Sequence, residues 1–135
     1  MSQRKIIIAG NWKMHKNVSE TTAFLEELKK NGRDLGAGCE VVVAPTFTSL
    51  AAGVKCARGS DIRVSAQNVH WEDKGAFTGE ISGAMLTELG VTHVIIGHSE
   101  RRQFFGETDH TVNKRIKAAI RHRLVPIFCL GETLE

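Results

Sequence analysis

Short apolar runs recur along the chain, from Lys5 to Ala9, Cys39 to Ala44, Ile62 to Ala66, His93 to Gly97 and Val125 to Leu130. Several are continuously apolar and do not alternate with polar residues, a pattern that predicts strands covered on both faces, as in a parallel sheet. The segments between them carry a helical period. In the first, Ser19 is placed to cap a helix with Phe24, Leu25 and Leu28 on one face, and Gly32 to end it. The last runs from about Thr111 to His122, with Val112, Ile116, Ala119 and Ile120 on one stripe and Lys and Arg opposite. The resulting β-α-β-α order predicts an α/β fold.

Two architectures fit that order: an open doubly wound sheet, which five strands complete, and a closed (β/α)8 barrel of roughly 250 residues, of which 135 residues are about half. Periodicity does not choose between them. The glycine fingerprints of nucleotide-binding sheets, G-x-G-x-x-G and G-x-x-x-x-G-K-[ST], are missing. With no repeat, low-complexity tract or linker, residues 1–135 read as a single domain. The chain is 41% hydrophobic and 24% charged, with a net charge of +3 spread evenly, which points away from nucleic acid and anionic lipid and toward small or polar partners. No apolar run approaches the roughly 20 residues of a membrane span, so a cytoplasmic location is expected. Cys39, Cys56 and Cys129 form no C-x-x-C pair and read as reduced, mostly buried thiols.

In either architecture, ligands sit just beyond the C-terminal ends of the strands. After strand one, Asn11 and Lys13 stand two residues apart, on the same side of an extended chain; Lys13 there either holds an anionic ligand or is one more solvated lysine. After strand four, Gly97-His98-Ser99-Glu100-Arg101-Arg102 crowds an imidazole, a hydroxyl, a carboxylate and two guanidinium groups at a strand-to-helix turn. A His98 ring facing a helix N-terminus is kept neutral and can polarise a carbonyl. His93 and His98, five apart on a strand, point to opposite faces and do not make a metal pair. Ala66 to Glu80 is too long and polar for a minimal connection. Its Trp71 and Phe77, beside glycines, suit a loop that buries aromatics in a partner subunit, or one folded on its own body. Cys129, late in an apolar strand, reads as core.

Ala9-Gly10-Asn11-Trp12-Lys13-Met14, Ala66-Gln67-Asn68, Gly75-Ala76-Phe77-Thr78-Gly79-Glu80, Val94 through Arg102 and Cys129-Leu130-Gly131-Glu132-Thr133 closely resemble triosephosphate isomerases, in order and over the whole length. The resemblance implies a (β/α)8 barrel, here its first four βα units plus the fifth strand. It also implies interconversion of dihydroxyacetone phosphate and glyceraldehyde 3-phosphate without a cofactor, in a homodimer. Position by position, it implies that Lys13 binds the substrate phosphate and stabilises developing negative charge, with Asn11 orienting it. His98 becomes the neutral electrophile; this family is itself the standard illustration of that device, so the role comes with the resemblance and not from spacing. Glu100 corresponds to a second acidic residue close to Lys13. Thr78, flanked by Phe77 and Gly79, falls at the tip of the interface loop, reaching Asn11 and Lys13 of the other subunit. The family's catalytic glutamate follows strand six, beyond Glu135, and His15-Lys16 stand where asparagine-glycine is common. The competing reading is an inactive half-barrel that self-associates through its exposed strand edges.

Overall fold

In the computed structural model, which describes residues 4–32 and 38–134, five strands lie side by side in chain order. They are β1 (Ile6–Asn11), β2 (Cys39–Ala44), β3 (Ile62–Ala66), β4 (His93–Ile96) and β5 (Val125–Phe128), and every neighbouring pair is parallel. A doubly wound sheet reverses its strand order on either side of the first strand. Here no reversal occurs, so the sheet winds in one direction and curls into a half-barrel. Helices α1 (Val18–Asn31), α2 (Leu50–Ala57), α3 (Gly83–Leu89), α4 (Ser99–Phe104) and α5 (Asp109–Arg121) fill the connections, with a short 3-10 turn before α2.

The core forms where the helices pack on the outside of the sheet: Leu25 of α1, Leu50 of α2, Leu86 of α3 and Val112 and Ala119 of α5 meet Val43, Val64, Ala66, Val94 and Ile96. All four residues of β4 are buried, as its unbroken apolar run predicts. β1 departs from that expectation, with Ile6 61% and Ile8 60% exposed, and Val125 and Phe128 of β5 are also exposed. Among the described residues both strands border the sheet and pair on one side only, so an apolar run alone does not guarantee a cover.

Two helix starts shift. Asn17, not Ser19, caps α1: its Oδ1 accepts the Glu20 N–H at 2.9 Å while Glu20 Oε2 accepts the Asn17 N–H at 2.8 Å, a reciprocal capping box. Ser19 lies inside the helix and donates its hydroxyl to Asn17 Oδ1. Gly32 ends the helix as expected. Helix α5 is capped by Thr108; Val112 and Ala119 of its apolar stripe are buried as expected, but two positions depart from the sequence pattern, Ile120 being exposed and Arg115 buried. Among the described residues, no helix is long and apolar enough to cross a membrane.

His93 starts β4 with its ring buried. Its Nε2 lies 3.0 Å from Glu40 Oε1 and its Nδ1 2.8 Å from the Thr92 hydroxyl, and Glu40 also pairs with Lys5. Burial pushes the His93 imidazole below its ordinary value, and the Lys5 hydrogen bond holds the Glu40 carboxyl below the usual carboxylate range. The unfolded chain therefore binds protons at both groups more readily than the folded one. Stability should fall as the pH drops below about 6.5, the free-histidine value, with Glu40 adding its loss below about 4.5. Urea midpoints at pH 7, 6 and 5 should decline, and His93→Gln should flatten the first part of that decline. An unchanged slope in the variant would assign the loss to another group.

Candidate active site

β1, β3 and β4 deliver their following residues to the same end of the sheet, as parallel strands must. After β1 the chain turns through Lys13 with φ +53°, a left-handed conformation that costs a residue with a side chain about 1–2 kcal/mol. Two groups hold it there. Asn11 Oδ1 accepts the Lys13 N–H at 3.0 Å, and the Gln67 side-chain amide donates to the Lys13 carbonyl at 2.8 Å and to the Ala44 carbonyl at 2.9 Å. Gln67, the residue after β3, thus ties the first loop to the end of β2. Sequence reading gave it no role, although the strand-end rule that selects Lys13 selects Gln67 as well.

Lys13 Nζ lies 2.7 Å from Glu100 Oε1, with both side chains partly exposed. The hydrogen bond from Lys13 holds the Glu100 carboxyl below the usual carboxylate range. Glu100 sits in the first turn of α4, whose N-cap is His98. The Glu100 N–H donates to His98 Nδ1 at 3.2 Å, and Glu100 Oε2 lies 3.5 Å from the same nitrogen. A ring nitrogen that accepts a backbone N–H holds no proton, so in this geometry the ring hydrogen sits on Nε2. His98 is therefore off the strand, not on it with His93. The strand ends one residue earlier because Gly97 turns at φ +74°, where a Cβ would press within 3.1–3.2 Å of Arg102 Nη2, Val112 and the Cys129 carbonyl. Arg102 fastens the turn, donating from Nε to the Gly97 carbonyl at 2.9 Å and from Nη1 to Asp109 at 2.7 Å.

Asn11, Lys13, Gln67, His98 and Glu100 line one hollow, together with the apolar side chains of Met14, Phe47 and Phe105. The hollow combines a cation, a neutral hydrogen-bond donor and apolar walls. Such a set can hold a small anion and stabilise charge developing on an oxygen. Cys129 is partly buried, and desolvation raises its thiol above the ordinary value, which suits a packing residue.

The long connection after β3 closes on itself, with the His70 N–H donating to the Ile81 carbonyl at 2.8 Å. Trp71 rests on its own body: it stacks on His70 and lies under the Lys114 ammonium and the Arg115 guanidinium of α5, 5.0 and 4.9 Å from its ring. Phe77 also packs on His70, with ring centroids 4.6 Å apart, yet stays 43% exposed, and Thr78 and Gly79 are exposed beside it. These three lie outside the hollow of Lys13. Of the two aromatics expected to protrude, only Phe77 does, because α5 supplies cations that cover the indole.

The triosephosphate isomerase family model matches residues 6–135. A triosephosphate isomerase of Acetivibrio thermocellus is 60% identical over 131 residues, covering 97% of this chain and 51% of that protein. One from Synechococcus sp. (strain JA-2-3B'a(2-13)) is 58% identical over 136 residues, covering 98% and 54%. The crystal structure of triosephosphate isomerase from Bartonella henselae superimposes with a TM-score of 0.89 at 38% identity, covering 97% of this chain and 54% of that one. The chain spans about half the length of the relatives it matches. A match along this length, on a half-barrel whose strand ends gather Lys13, His98 and Glu100, has one consequence: the chain belongs to the triosephosphate isomerase family.

Proposed function

We propose that residues 1–135 form one domain that carries the substrate-holding, carbonyl-polarising part of a triosephosphate isomerase site. The reaction is the interconversion of dihydroxyacetone phosphate and glyceraldehyde 3-phosphate through an enediolate, as in glycolysis and gluconeogenesis, and the setting is the cytoplasm. The observation that carries this reading is the meeting of Lys13, held in a left-handed turn, with His98 and Glu100 in one hollow.

In this reading a base removes a proton from the carbon next to the carbonyl, and negative charge gathers on the carbonyl oxygen. His98 Nε2–H donates to that oxygen and handles its proton, while the Lys13 ammonium offsets the charge and holds the phosphate. Asn11 orients Lys13, and Glu100 pairs with it and fixes the His98 side of the hollow. The proton moves within one substrate, so no cofactor is called for. The base is the family's glutamate after strand six, in the part of the barrel this chain does not span. The dimer forms through the loop after β3: Phe77, Thr78 and Gly79 meet a second copy, with Thr78 directed at the partner subunit's Asn11 and the partner subunit's Lys13.

A second reading, favoured by the exposed Ile6 and Ile8 on β1 and Phe128 on β5, is a half-barrel without turnover that self-associates. A chimera joining residues 1–135 to the remaining half of the Acetivibrio thermocellus enzyme decides between them in a coupled isomerase assay. The chimera should turn over, and His98→Gln should lower kcat about 10²–10³-fold with KM little changed. A folded chimera without turnover would leave the second reading standing.

A further inference from the structure

The loop after β3 is fixed at its neck by the His70 N–H to the Ile81 carbonyl and by a parallel bridge between His70 and Ser82. It is fixed a second time by the end of α5. Asp73 Oδ1 lies 2.7 Å from His122 Nε2 and accepts from Arg121 Nη2 at 3.0 Å, and the same Arg121 nitrogen donates to the Trp71 carbonyl at 3.0 Å. The His122 ring also lies against Gly83, the first residue of α3, where a Cβ would come 2.4 Å from the ring. One ring therefore touches both legs of the loop, Asp73 on the way out and Gly83 on the way back. None of these groups lines the hollow of Lys13.

We propose that Asp73, Arg121 and His122 form a latch that sets the stance of the 70–82 loop for docking against a second copy of this chain. The proposal rests on the reading of Phe77, Thr78 and Gly79 as the interface, and adds what holds them in place. Residues 72–80 are exposed throughout, and Gly75 and Gly79 take positive φ. The stretch has few bonds of its own, with Phe77 N–H to Gly75 O and Glu80 N–H to Phe77 O. Left to itself such a segment would lose conformational entropy on docking. The latch orders its outgoing leg beforehand, which favours association without adding a contact to the partner. The hydrogen bonds are charge-assisted, since the His122 contact holds the Asp73 carboxyl below the usual carboxylate range.

The test uses the chain itself, with Arg121→Met and His122→Ala as latch variants and Phe77→Asp as the tip variant. Trypsin cleavage after Lys74, read by mass spectrometry, reports release of the loop, and sedimentation velocity reports association. Each latch variant should speed that cleavage and weaken association about tenfold. Arg121→Met leaves the His122 ring against Gly83, so it keeps the test open where His122→Ala fails to fold. Unchanged cleavage after Lys74 would overturn the latch. Faster cleavage with unaltered association, while Phe77→Asp separates the copies, would overturn its control of docking. Association indifferent to Phe77→Asp would instead overturn the interface reading beneath it.

Discussion

Lys13→Ala, made in the barrel completed by the Acetivibrio thermocellus half, should lower kcat by at least about 10²–10³-fold, the cost of removing one preorganised group that meets charge in the transition state. Under the proposed function the loss should exceed any rise in KM, because the ammonium would then meet more negative charge at the enediolate oxygen than in the bound substrate. Two effects are mixed in that variant. Lys13 holds φ +53°, and alanine there keeps the backbone strain while deleting the charge. Lys13→Gly separates them: glycine adopts the turn freely, so this variant should match alanine in lost turnover yet exceed it in stability by about 1 kcal/mol. The structure adds a third expectation. Glu100 owes its lowered carboxyl first to the Lys13 hydrogen bond, so either variant should return Glu100 toward the ordinary carboxylate range, visible in an NMR titration of its side chain. Near-normal kcat in both variants would remove Lys13 from the site.

The positions of Lys13 and His98 were legible because parallel strands place chemistry at one end by geometry alone. Their surroundings were less so. Gln67 acts on the backbone of a residue 54 positions away, and a side-chain amide aimed at a distant carbonyl leaves no local pattern. The capping box of α1 was present in the sequence as Asn17-x-x-Glu20. Ser19 has the residue type of a cap but lacks the Glu or Gln three positions on that closes the box, which Asn17 has in Glu20. The choice of barrel over open sheet rests on the strand order, a long-range property that hydrophobic period cannot encode. The same limit explains β1: its apolar run is fit to be covered on both faces, but cover is decided by neighbours and not by the run. Arg115 is the sharpest case. On the helix period it belongs to a solvated stripe, and only the fold shows that this one member of the stripe turns inward to Glu107 while Lys114, Lys117 and Arg121 stay exposed.

Removing that pairing should cost more stability than His93→Gln or either Lys13 variant. Glu107 is 7% exposed and Arg115 6%. Arg115 pairs with Glu107 through Nε and donates from Nη1 to the Val69 carbonyl at 2.6 Å, while Arg101 Nε approaches the other carboxylate oxygen at 3.6 Å. The two guanidinium groups are what offsets the buried carboxylate. Glu107→Gln leaves both guanidinium groups against a neutral amide that cannot offset their charge, and Arg115→Met leaves a buried carboxylate with one distant cation. Each should destabilise by about 3–5 kcal/mol in urea unfolding, a large share of the roughly 5–15 kcal/mol that holds a domain together. Arg115→Met should also loosen Trp71, whose ring lies under the Arg115 guanidinium, and so red-shift and weaken part of the tryptophan emission. The double change Glu107→Leu with Arg115→Met should recover much of the loss, because apolar side chains of similar volume need no counter-charge. Single variants that cost less than about 1 kcal/mol, or a double variant no more stable than Arg115→Met alone, would show that the pair is held by its surroundings and not by its charges.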